Sequence, residues 1–260
     1  MTRQNEFRPE AAAACEIALA AGRIQLDSLD RLVGIEYKGD RSPVSEVDRR
    51  CEEIIIAALR RKFPDDGFLG EETGAEEGRS GRRWIIDPLD GTRPYLRGIP
   101  TFSVLIALEA QGEPVAGVIH LPALGRTYSA ARGGGAYLDG AAIRVSGIDR
   151  PAIAMGSALG YRELHDTPRG RKLFELIRQW DYAYGFMDAL TYGLVASGRL
   201  DCSVNLLDKP WDCAAAAIIV AEAGGTYSDV TGAKTIHGEG FVMSNGRFHE
   251  ETIAALRIPD

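Results

Sequence analysis

The chain has 260 residues, 45% hydrophobic and 26% charged, and its 37 acidic and 30 basic side chains give a net charge of −7. At about 100–200 residues per domain this is one large domain or two lobes, with enough core to fold without a disulfide or metal staple. The longest apolar run, Cys213 to Ala221, has nine residues where a membrane helix needs ~18. The start carries no apolar signal segment, and an acidic chain without a Lys/Arg stripe is a poor partner for nucleic acid. The expectation is a soluble cytoplasmic protein with neither a membrane nor a nucleic acid as partner.

Residues 9–29 are Ala-rich, with Ile17, Ala21 and Ile24 at helical spacing, and predict a first helix. Ser42-Pro43 reads as an N-cap followed by proline at the first helical position. After it, Val44, Val47, Cys51, Ile54, Ile55, Ala58 and Leu59 predict a second, amphipathic helix. Pro64-Asp65-Asp66-Gly67 breaks the chain. Around Trp84 the pattern changes to the short runs RWIID, TFSVLIALE, PVAGVIHL, RTYSAA and GAYLD, which predict an antiparallel sheet. Beyond Gly147 strands (AIAMG, RLDCSV, TYSDV, GFVMSN) alternate with helices over 169–180, 188–197, 210–223 and 247–257. The organisation expected is one domain over 1–260 with two lobes, about 1–146 helices plus sheet and about 147–260 mixed α/β.

Cysteines 15, 51, 202 and 213 form no C-x-x-C pair and read as small buried hydrophobes in a reducing compartment. Histidines 120, 165, 237 and 249 have no H-x-x-x-H spacing, so a metal here must be held by oxygen. Gly133-Gly134-Gly135 lies between two strand-like runs without G-x-G-x-x-G spacing and reads as a hairpin turn.

The informative stretch is WIIDPLDGT, residues 84–92. A buried strand stops at Asp87-Pro88, and a turn then puts Asp90 beside Asp87, where the two repel unless a cation sits between them. Gly91-Thr92 opens a short helix whose free N–H groups suit an anion. Glu71 ends the run GFLG, and Asp212 stands in the first turn of an apolar helix opened by Pro210-Trp211. Asp48 shares a helix face with Val44, Cys51 and Ile55, so it requires a partner.

Together these residues resemble the inositol monophosphatase-like family of magnesium-dependent, lithium-sensitive phosphatases. The resemblance rests on Gly70-Glu71-Glu72, Trp84 to Thr92, Pro210 to Ala215 and the upstream S-P-V-S-E-V-D ending at Asp48, and it runs from about residue 8 to 256. It implies an α/β (α+β) fold, a layered α-β-α-β-α sandwich, a homodimer and hydrolysis of a small phosphate monoester. It further implies that Glu71, Asp87, Asp90, Asp212 and the carbonyl of Leu89 hold two or three Mg²⁺ ions, with Mn²⁺ as a substitute. Asp90, Gly91, Thr92 and Asp212 then face the phosphate ester, while Thr92 and Asp48, assisted by Glu71, orient and deprotonate the attacking water. Four carboxylates alone repel a phosphate dianion, and two or three divalent ions reverse that sign.

Pocket residues bear on which ester is cleaved. Inositol-specific members carry a glutamate seven residues before the P-W-D aspartate, where this chain has Asn205. Histidinol-phosphatase relatives place an aspartate at the equivalent of Asp188, facing the substrate amine, though they usually keep the glutamate that Asn205 replaces. Lys38 to Pro43 and Gly70 to Gly74 also look like that branch. The expected substrate is histidinol phosphate. The alternatives are inositol-1-phosphate, another sugar or nucleotide phosphate, or a regulatory binding protein that keeps the fold. Arg93, Tyr95 and Arg97 read either as a lid or as ordinary helix positions, and Gly74 to Gly81 as a mobile loop over the site.

Overall fold

In the computed structural model the described residues are 6–29, 36–37, 43–160, 164–185 and 188–258. Helix α1 (Arg8–Ser28) has proline in its first turn, where a missing N–H costs nothing, and buries Ala14, Ile17, Ala18 and Ala21. The short strands β1 (Glu36–Tyr37) and β2 (Pro43–Val44) pair antiparallel, so Pro43 stands in a strand and not at a helix start. Ser42 lies outside the described residues. The cap of α2 (Glu46–Lys62) is Ser45, whose hydroxyl accepts from the Val47 N–H at 3.2 Å while Asp48 accepts from the Ser45 N–H at 2.8 Å. That reciprocal pair satisfies donors that a cap three residues earlier leaves open.

The larger sheet has eight strands: β3 (Gly67–Gly70), β4 (Gly74–Glu76), β5 (Arg82–Asp90), β6 (Ser103–Ala110), β7 (Glu113–Leu121), β8 (Arg126–Ala131), β9 (Gly135–Leu138) and β10 (Ala141–Ile143). Their order is β10-β9-β8-β7-β6-β5-β3-β4, and β3 runs parallel to β5 while the other pairs are antiparallel. The stretch read as a loop from Gly74 instead begins as edge strand β4, and the triple glycine turns β8 into β9 as expected. A short helix, α3 (Thr92–Tyr95), follows β5.

The smaller sheet contains β11 (Met155–Leu159), β12 (Tyr182–Tyr184), β13 (Cys202–Asn205), β14 (Thr226–Asp229) and β15 (Phe241–Ser244) in the order β12-β11-β13-β15-β14. The AIAMG strand begins only at Met155, because Pro151–Ile153 form a 3-10 turn. The helices between these strands are α4 (Pro168–Ile177), α5 (Leu190–Ala196) and α6 (Pro210–Glu222), and α7 (His249–Leu256) follows β15.

Alternation along the strands sorts the layers. On β6, Val104, Ile106 and Leu108 pack with α1 and α2, while Leu105 and Ala107 face α6 on the opposite side. Helix α6 lies between the two sheets, which explains its long apolar run: Cys213 to Val220 is buried all round. The far face of the smaller sheet packs on α4 and α7 through Leu173, Val204, Val242 and Ile253. The fold is the expected α-β-α-β-α sandwich. All four cysteines are free, and Cys51, Cys202 and Cys213 are buried. Among the described residues no helix is long and apolar enough to cross a membrane.

Candidate active site

The site forms where β5 fails to continue as a strand. Pro88 has no N–H for the ladder, and the register with β6 breaks between Asp87 and Asp90. The Leu89 N–H turns back to Asp87 Oδ1 at 3.0 Å, and the buried Gln25 of α1 donates from Nε2 to the Pro88 carbonyl at 2.8 Å. These bonds hold the turn that brings Asp90 beside Asp87. Asp212, in the first turn of α6, accepts the Lys209 N–H at 2.6 Å. One carboxylate oxygen from each of Asp87, Asp90 and Asp212 lies within 4.8 Å of the other two.

This proximity is electrostatically costly. Burial, then repulsion from Glu71, Asp90 and Asp212, holds the Asp87 carboxyl well above the ordinary carboxylate range. Burial pushes Asp212 up to about 7, with Glu71 adding to the shift. Burial also holds the Asp90 carboxyl well above the ordinary range, reinforced by Asp188. Glu71 therefore acts on the same cluster from the end of β3, where its N–H donates to the Ile86 carbonyl at 3.2 Å. An all-oxygen, acidic, partly dry set of this kind fits a hard divalent cation such as Mg²⁺ or Mn²⁺.

Beside the carboxylates, Gly91 adopts φ +78°, a left-handed conformation that suits glycine, and starts α3. The Thr92 hydroxyl lies 3.1 Å from Asp48 Oδ1 and 3.2 Å from the Leu89 carbonyl. Asp48, 1% exposed, has its other oxygen on the Ser45 N–H and hydroxyl. The partner that its place on an apolar face demanded is thus Ser45 together with Thr92.

Asp90 Oδ2 receives the Ser103 hydroxyl and the Ala189 N–H, each at 2.9 Å, so the turn before α5 docks on the carboxylate cluster. The neighbouring Asp188 has φ +34°, and its Oδ2 is buried with no hydrogen-bond partner among the described residues. That oxygen is 3.1 Å from where a side chain on Gly91 would begin. Burial raises the Asp188 carboxyl to about 6. A further carboxylate, Asp208, is buried and takes a hydrogen bond from Tyr192, one turn beyond Asp188. Its carboxyl is held well above the usual range by burial and then by Asp212, with Asp90 and Asp188 contributing.

The other residues singled out in the sequence are Asn205, Arg93, Tyr95 and Arg97. Asn205 closes β13 and uses its side-chain oxygen on the Leu207 N–H at 3.1 Å. Tyr95 points into the core, with its ring edge-to-face with Phe102 and its hydroxyl on the Gln25 carbonyl at 2.7 Å, while Arg93 and Arg97 are exposed. Gln25, Ser103, Tyr192 and Asp208 went unread in the sequence. The i, i+4 spacing of Asp188 and Tyr192 was the one available signal, and it carries no chemistry without Asp208 opposite.

The sequence pattern described for the Inositol monophosphatase family matches residues 7–258. The chain belongs to that family. The family is metal-dependent, and this inositol monophosphatase family member is a phosphatase, a phosphoric monoester hydrolase. It is 41% identical to a histidinol-phosphatase of Chlorobaculum parvum, over 95% of this chain and 96% of that one. It is 40% identical to an inositol-1-monophosphatase of Mesorhizobium japonicum, covering 94% of each. Among solved structures, an IMPase of Thermotoga maritima superposes with TM-score 0.84 at 33% identity, over 93% of this chain and 94% of that one.

Proposed function

We propose that this family member hydrolyses histidinol phosphate to histidinol and phosphate. The observation that carries the reading is Asp188: a buried carboxylate oxygen with no hydrogen-bond partner among the described residues, beside Gly91. A buried anion of that kind calls for a cation, and the protonated amine of histidinol phosphate supplies one.

Glu71, Asp87, Asp90, Asp212 and the Leu89 carbonyl would hold Mg²⁺, which when bound supplies the positive charge a phosphate dianion needs. The Gly91 and Thr92 N–H groups hold phosphate oxygens at the start of α3. The Thr92 hydroxyl orients a water for in-line attack and relays its proton to Asp48, with Glu71 assisting. The water oxygen bonds to phosphorus as the ester P–O bond breaks, the departing alkoxide takes up a proton, and no phosphoenzyme forms.

The test is phosphate release with Mg²⁺ from histidinol phosphate, inositol-1-phosphate, fructose-1,6-bisphosphate and 3′-phosphoadenosine-5′-phosphate, each repeated with EDTA. Histidinol phosphate is expected to lead by at least about tenfold in kcat/KM, and EDTA to remove activity on every ester. A lead for inositol-1-phosphate would show that Asn205 does the work of the usual glutamate and would overturn the substrate reading. No metal-dependent release from any ester would turn the weight to a regulatory binding role.

A further inference from the structure

Glu52 stands one turn beyond Asp48 on the same face of α2 and is fully buried, at 0% exposure. A carboxylate in that position must be satisfied by donors. Its two oxygens accept backbone N–H groups from the turn between β3 and β4: Oε2 from Glu72 at 3.0 Å and Oε1 from Thr73 at 2.7 Å. These are the two residues that follow Glu71. On the other side, the Glu71 N–H is tied to the Ile86 carbonyl of β5. The Glu71 backbone is therefore gripped from both directions. Gly70 completes the arrangement, since a Cβ there would lie 2.5 Å from Glu52 Oε1 and glycine alone leaves the carboxylate room to reach the turn.

We propose that Glu52 is the positioning residue for Glu71. It touches neither substrate nor metal; it fixes the turn from which the Glu71 carboxylate faces Asp87 and Asp212. The inference rests on the reading of Glu71 as a metal ligand. Helix α2 then sets both ends of the site, with Asp48 reaching Thr92 and Glu52, four residues later, reaching the Glu71 turn. Hydrogen bonds from N–H groups to an ionised acceptor are the stronger kind, so two of them hold the turn more firmly than neutral partners do.

The isosteric variant E52Q keeps one acceptor oxygen but presents an NH₂ to the second backbone N–H, so one end of the turn is released. Mn²⁺ binding to the whole chain, followed by the EPR signal of the free ion, is expected to weaken about 10–100-fold, the range for losing a partner of a metal ligand. A double-mutant cycle separates positioning from general loosening. In an E71Q background, adding E52Q is expected to weaken Mn²⁺ no further than about twofold. The variant G70A, which drives the Glu52 carboxylate off the turn, is expected to reproduce the E52Q loss and carries the test if E52Q does not fold. Mn²⁺ affinity within about twofold of wild type in folded E52Q or G70A overturns the proposal, as does an undiminished E52Q effect in the E71Q background. Wild-type Mn²⁺ affinity in E71Q alone removes the ligand reading of Glu71, and the proposal with it.

Discussion

Asp90→Asn is expected to lower kcat/KM by at least about a thousandfold, equivalent to about 4 kcal/mol of transition-state stabilisation, with the fold unchanged. The structure explains both halves of that expectation. Asp90 Oδ2 is the oxygen on which Ser103 and Ala189 converge, and an asparagine turned to place its carbonyl there keeps both bonds. The second oxygen becomes an NH₂ that binds no cation, and the cluster loses one of its charges. Removing one charge from a cluster that repels itself also relieves the apo protein, so its melting temperature in EDTA should match or exceed wild type. Phosphate release and a thermal melt of the same preparation decide the matter, and activity above a tenth of wild type sinks Asp90 as a ligand.

Asp188→Asn carries the next largest effect, and it is selective. A charge-assisted contact between a buried carboxylate and an ammonium is worth about 3 kcal/mol, or about two decades in kcat/KM. That loss should fall on histidinol phosphate, while glycerol phosphate, which offers no amine, should lose at least about tenfold less. The comparison is a ratio of two esters on one enzyme, so any general disturbance of the Asp188–Ala189 turn, which would also shift Asp90, cancels. Equal losses on both esters would remove the salt link to the amine.

How much of this was legible beforehand depends on how local the chemistry is. W-I-I-D-P-L-D-G-T was readable because strand, proline stop and paired carboxylates are all written within nine residues. Asp48 was readable as a polar residue out of place on an apolar face, and that face does end on Thr92. The cap was misplaced by three residues because Ser42-Pro43 and Ser45 both fit the local rule, and the β1–β2 pairing that decides between them is not local. Gln25, Ser103 and Asp208 were illegible for the same reason. Gln25 reaches Pro88 across 63 positions, and no spacing within α1 announces that contact. The parallel β3–β5 pair was hidden too, since a four-residue run such as GFLG carries no sign of its neighbour's direction.

Helix α6 has a consequence for how the molecule comes apart. Its buried side chains belong to one core with Leu105 and Ile119 of the larger sheet and with Tyr227 and Met243 of the smaller one. Separating the sheets would strip apolar surface from both at once, so neither half has a stable state to retreat to. Heating should therefore give one cooperative transition, with the calorimetric and van't Hoff enthalpies in agreement. Because Asp212 rides on that helix while Asp87 and Asp90 belong to the larger sheet, the carboxylate cluster should be lost in that same all-or-none step.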